Sequence, residues 1–133
     1  MKSVSLEELL ETSKIVTMHL VVGPSTRGLI SSKQLALMRP DSILVNTSRS
    51  ALINMADLEK ALKLGRPGQA AIDVFDIEPL PESDPLRNTP NLLVTPHLGF
   101  IAEPIFSSFS KGIIESLMAW LENRPIPLPF KPK

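Results

Sequence analysis

Four short apolar runs without polar alternation constrain this 133-residue chain more than any other feature. They are "KIVTMHLVV", "SILVNT", "QAAIDVF" and "NLLVT". Continuous hydrophobicity of this kind suits strands buried on both faces, as in a parallel sheet. Helical stretches lie between them. "SLEELLETS" places Leu6, Leu9 and Leu10 at helical spacing behind Ser5, with Glu8 as a capping-box partner. "SSKQLALM" reads as a second short helix, stopped at Pro40. "NMADLEKALKLG" carries a stripe of Leu58, Ala61 and Leu62 and ends on Gly65 as a C-cap. The expected helices cover 6–11, 32–38, the stretch before Gly65, and 101–123. The expected strands lie near 15–21, 42–46, 69–74 and 92–95. The proline-rich end, "RPIPLPFKPK", is expected to be extended.

Strands that alternate with helices imply an α/β fold with a parallel sheet covered on both faces. Ligands of such sheets bind in the crevice beyond the carboxyl ends of the strands. The polar residues collect there: Asn46 to Arg49 after the second strand, Asp73 to Glu78 after the third, His97 after the fourth. Singly, each has an ordinary reading. A histidine after a strand is more often a loop or structural residue, Arg49 a surface charge, Glu78 a solvated loop acid. Asp73, inside "AAIDVF", enters a buried edge and needs a partner. His19, inside "VTMHL", is expected to be a hydrogen-bonded core histidine.

Composition removes several classes. Fourteen basic residues balance fourteen acidic ones and aromatics are 5%, which argues against a nucleic-acid binder. With no cysteine there is no thiolate metal site, and no metal is expected. No apolar run has the length of a membrane span, so a soluble cytoplasmic protein is the default expectation. The three strand-end groups nevertheless suit one chemistry. An arginine grips a carboxylate with two parallel hydrogen bonds, and a histidine exchanges a proton with a carbonyl or alcohol oxygen. A glutamate bonded to that histidine fixes its tautomer. With a hydride carrier, these parts interconvert a 2-hydroxy acid and a 2-keto acid.

"TSKIVTMHL…STRGLI", "LVNTSRSALINMADLEKAL", "AAIDVFDIEPLP" and "NLLVTPHLGF" together resemble the D-isomer-specific 2-hydroxyacid dehydrogenases, which include phosphoglycerate, glycerate and formate dehydrogenases. The likeness runs over residues 5–125. It implies the second half of a doubly wound, Rossmann-type parallel sheet over 1–100, followed by a long helix and tail over 101–133 leading toward a substrate domain. It also implies catalytic roles: Arg49 for the substrate carboxylate, His97 as acid/base, Glu78 as its partner. A cofactor site of Val21, Thr47, Ser48, Arg49, Asp73, His97, Leu98, Gly99 and Phe100 is implied, with NAD expected and NADP not excluded. A small 2-hydroxy or 2-keto acid would be the substrate, and the complete protein would be a homodimer. Ser50 stands where the family usually has glycine, Asn54 where it has aspartate, Phe100 where a second glycine is frequent, and Val21 where many members have proline.

The six glycines are Gly23, Gly28, Gly65, Gly68, Gly99 and Gly112, and no G-x-G-x-x-G can be assembled from them. That turn holds the pyrophosphate of a dinucleotide at a helix N-terminus. The chain is therefore expected to be the C-terminal portion of a longer dehydrogenase. By itself it is expected to bind NAD weakly or not at all, to lack dehydrogenase activity and to self-associate. The alternatives are a non-catalytic dinucleotide-sensing or assembly module, or an inactive remnant.

Overall fold

The computed structural model describes residues 3–127. The part of the expected extended tail beyond residue 127 lies outside them, and residues 124–127 have no regular structure. The chain divides into two compact units, Met1–Gly99 and Phe100–Lys133.

In the first unit, α1 (Leu6–Thr12) leads into β1 (Ile15–Met18), α2 (Ser32–Leu37), β2 (Ile43–Asn46), α3 (Met55–Lys63), β3 (Gln69–Ile72) and β4 (Leu92–Val94). Short 3₁₀ turns at Ser50–Leu52 and Pro85–Asn88 precede α3 and β4. Helix starts follow their capping chemistry. Ser5 accepts from the Glu8 amide, Asn54 accepts from the Asp57 amide, and Gln34 reaches back to the Ser31 amide. The third helix ends as expected at Gly65, whose φ is +74°.

All four strands are parallel, in the order β1-β2-β3-β4. Val16, Met18, Leu44, Ala70 and Ile72 form one buried face, packed with Leu10, Leu35, Leu58 and Leu62 of the three helices. The opposite face is open: Ile15 and Leu93 are 65% and 63% exposed. This corrects the expectation of a sheet covered on both sides. Parallel crossovers share one hand, so a sheet whose order advances in one direction places every connecting segment on the same face. Covering the other face takes a reversal of direction, which these four strands do not contain.

Three strands, β1, β3 and β4, are also shorter than expected at their carboxyl ends, while β2 ends at Asn46 as expected. β1 stops at Met18, so His19 is not in the core: it is exposed, with Nε2 2.9 Å from Thr17 Oγ1. β3 stops at Ile72, and Asp73 begins the loop. Pairing with β2 runs out at Asn46, whose side chain turns to serve its own loop. In the second unit, α4 spans Glu103–Leu121 and leaves Phe109, Ile113, Leu117 and Trp120 between 53% and 67% exposed. No helix of the described residues is long and apolar enough to cross a membrane.

Gly68 precedes β3 with no room for a side chain, since a Cβ there would lie 2.1 Å from the Pro40 carbonyl oxygen. Gly68→Ala must shift backbone, and we expect a loss of about 1–3 kcal/mol, an overpacking cost. Thermal unfolding would read this as a midpoint lower by several degrees; an unchanged midpoint would contradict the close approach.

Candidate active site

The polar cluster is built on a buried carboxylate. Asp73 is 3% exposed, and both of its oxygens are occupied. Oδ1 accepts from the Thr95 hydroxyl at 2.5 Å and from the Leu98 amide at 2.8 Å, while Oδ2 accepts from the Gly99 amide at 2.7 Å. Burial alone pushes this carboxyl up. The Thr95 hydroxyl, the Gly99 and Leu98 amides and the nearby His97 outweigh it and hold the group below its ordinary value. Gly99 is needed for the approach, because a Cβ there would stand 2.9 Å from Oδ2 and 3.4 Å from Thr47 Cβ.

This clamp shapes the loop that carries His97. The His97 backbone is left-handed, with φ +56°, and its amide donates to the Thr95 carbonyl at 3.0 Å. A side-chain-bearing residue there costs on the order of 1–2 kcal/mol, which the bonds to Asp73 on the next two amides offset. The ring is presented to Glu78, with Nδ1 2.7 Å from Oε2. Glu78 accepts from the Phe75 amide at 2.8 Å through its other oxygen. That amide first, and the His97 ring second, keep the Glu78 carboxyl below its ordinary value. Both side chains of the pair are more than a third exposed to solvent.

The neighbouring loop is organised by Asn46, which is wholly buried. Its Oδ1 accepts from the Ser48 amide at 3.0 Å, and its Nδ2 donates to the Arg49 carbonyl at 2.8 Å. Arg49 is exposed and donates through a terminal nitrogen to the Ser48 carbonyl at 2.6 Å. Ser50, in place of the family's usual glycine, opens the 3₁₀ turn without a positive φ and donates to Asp76 Oδ1 at 2.7 Å. Ser48 Oγ donates to the Leu20 carbonyl at 2.8 Å, bringing this loop against the end of β1. A cleft of about 350 Å³ lies there, lined by His19, Leu20, Val21, Val22, Ser48 and Arg49.

Arg49, Glu78 and His97 therefore follow three adjacent strands, β2, β3 and β4, at one edge of the sheet. Val21, Thr47 and Ser48 stand at the same edge, and Leu98 and Gly99 are fixed by Asp73. Phe100 belongs to the second unit, where its ring lies 6.2 Å from that of Phe106. The roles of Asn46 and Thr95 and the pairing of Ser50 with Asp76 were not read from the sequence. The signal for Asn46 was available, as a polar residue closing an apolar run. No cluster able to hold a metal occurs among the described residues.

Comparison with known proteins shows the family and the fold. Residues 1–99 match the family model described as D-isomer specific 2-hydroxyacid dehydrogenase, NAD binding domain. The chain belongs to this family. A glyoxylate reductase of Korarchaeum cryptofilum is 38% identical over 117 residues, 88% of this chain and 35% of that protein. A Granulicella formate dehydrogenase structure superposes with a TM-score of 0.86 at 34% identity, covering 94% of this chain and 33% of that one. A D-isomer specific 2-hydroxyacid dehydrogenase of Xanthobacter autotrophicus, solved with NADPH and MES, gives a TM-score of 0.72 at 36% identity, over 91% and 49% of the two chains. The chain spans between 35% and 40% of the length of three curated relatives.

Replacing Asp73 by asparagine sets an N–H₂ group against one of the donor sets. We expect it to cost about 1–3 kcal/mol at neutral pH, as for a buried group left unsatisfied. The folded carboxyl lies below its ordinary value of about 3.9, so its contribution is complete above that range and fades as pH falls through the folded value. Denaturant titrations of parent and variant should therefore converge in acid. A gap that stayed constant from neutral pH to about pH 3 would contradict an ionised Asp73.

Proposed function

We propose that this chain carries the acid/base half of an NAD(P)-dependent dehydrogenase acting on a D-2-hydroxy acid. The observation that carries the reading is the His97–Glu78 contact of 2.7 Å, exposed at the strand edge one strand away from the Arg49 turn. Arg49, whose side chain forms no ion pair among the described residues, is suited to hold the substrate carboxylate by two parallel hydrogen bonds. Glu78 holds His97 through Nδ1 and so orients the ring, whose Nε2 would give a proton to the carbonyl oxygen or take one from the hydroxyl.

The residues at the β1 and β2 ends fit the nicotinamide portion of the cofactor. Val21 is 87% exposed and Leu20 43%, an apolar floor for a flat ring beside Thr47 and Ser48. When bound, the reduced nicotinamide supplies hydride to the carbonyl carbon. Asp73 has both oxygens engaged within the chain, so its part is to hold the Leu98–Gly99 backbone in place beside that ring. NAD and NADP are both compatible with this half, because the ribose-reading turn is not among these residues. The substrate is a small 2-hydroxy or 2-keto acid, and the complete protein is a dimer.

A chimera tests the assignment. Residues of this chain would replace the matching 117-residue segment of the Korarchaeum cryptofilum glyoxylate reductase. We expect reduction of a 2-keto acid with reduced NAD or NADP, and His97→Ala in the chimera should lower turnover about 10²–10⁴-fold with little change in cofactor affinity. Full turnover without His97 would exclude it as the proton donor.

A further inference from the structure

We propose that Ser50 is a positioning residue: through Asp76 it couples the Arg49 turn to the loop that carries Glu78. This rests on the assignment of Arg49, Glu78 and His97 to one reaction. A substrate carboxylate and its adjacent carbonyl are one bond apart, so the groups that grip them must keep a fixed separation to within about half an ångström. Arg49 and His97 stand on loops from different strands, and something besides the strands has to set that separation.

The link is continuous. Asn46, wholly buried, uses both ends of its amide to fix the Ser48 and Arg49 backbone. The next residue, Ser50, donates its hydroxyl to Asp76 Oδ1 at 2.7 Å. Asp76 lies in a short loop that Glu78 closes on itself by accepting the Phe75 amide at 2.8 Å. The second Glu78 oxygen meets His97 Nδ1 at 2.7 Å. Three hydrogen bonds, joined through the short backbone from Phe75 to Glu78, thus connect the Arg49 turn across the ends of β2 and β3 to the loop after β4. A glycine at position 50 has no side chain with which to join it, whereas serine supplies the one hydroxyl required. The acceptor is a carboxylate, which makes the bond stronger than one between neutral groups.

NMR on the 133-residue chain tests the coupling without turnover. Ser50→Ala should speed hydrogen exchange of the Phe75 amide about threefold to tenfold, the scale of one lost hydrogen bond. It should also displace the His97 ring resonances, while exchange at Leu44 and Ile72 and the thermal midpoint stay as in the parent. Ser50→Thr, which keeps the hydroxyl, should restore both signals. From the other end, Asp76→Ala should move the Ser48 and Arg49 amide resonances, and Asp76→Asn, which keeps an acceptor oxygen, should leave them in place. If Ser50→Ala unfolds the chain, the Asp76 variants carry the same comparison. Unmoved Phe75 and His97 signals in Ser50→Ala, or Ser50→Thr behaving like alanine, would overturn the proposal. An inactive chimera with these couplings intact would instead count against the dehydrogenase reading alone.

Discussion

The loop that presents His97 at the strand edge depends on one ionised carboxylate taken out of water. Asp73 loses hydration on burial and regains it as three donors, one hydroxyl and two backbone amides, all from the segment after β4. A buried charge is tolerated only when its lone pairs are satisfied in this way. The consequence is geometric. With Thr95, Leu98 and Gly99 drawn onto one carboxylate from the preceding strand, the backbone between them has little choice, and His97 takes a conformation it would otherwise avoid.

The second constraint is topological. Because strand order follows chain order, the helices α1, α2 and α3 pack on one face, and the carboxyl ends of β2, β3 and β4 stand side by side. Parallel strands end together, so Arg49, Glu78 and His97, successively 29 and 19 residues apart in sequence, arrive at one edge without long excursions. The same topology leaves the opposite apolar face open. A parallel sheet wet on one side is unusual, and that face suits a covering layer of helices.

Much of this was legible in the chain. Four continuous apolar runs marked the four strands, Ser5 and Gly65 marked helix ends, and Arg49, Glu78 and His97, each ordinary alone, were singled out by the chemistry they share and by the family resemblance. What escaped has a common physical cause. Hydrophobicity continues past the last paired residue, so "VTMHL" read as one strand although pairing ends at Met18, and His19 was assigned to the core instead of the surface. The one-sided sheet escaped because hydrophobic runs report the need for burial and not which chain segment supplies it. Hydrogen bonds between loops leave no periodic trace: Ser50 and Asp76 are 26 residues apart, and Thr95 and Asp73 are 22 apart.

The strand-end loops hold His97 to Glu78 through Nδ1. Nitrogen-15 NMR of the His97 ring at neutral to mildly alkaline pH tests this most directly, since the two neutral tautomers have distinct ring-nitrogen shifts. The neutral ring should be protonated at Nδ1, with its proton in a short hydrogen bond that disappears in Glu78→Ala. A ring protonated at Nε2, or one whose spectrum ignores the loss of Glu78, would contradict the account.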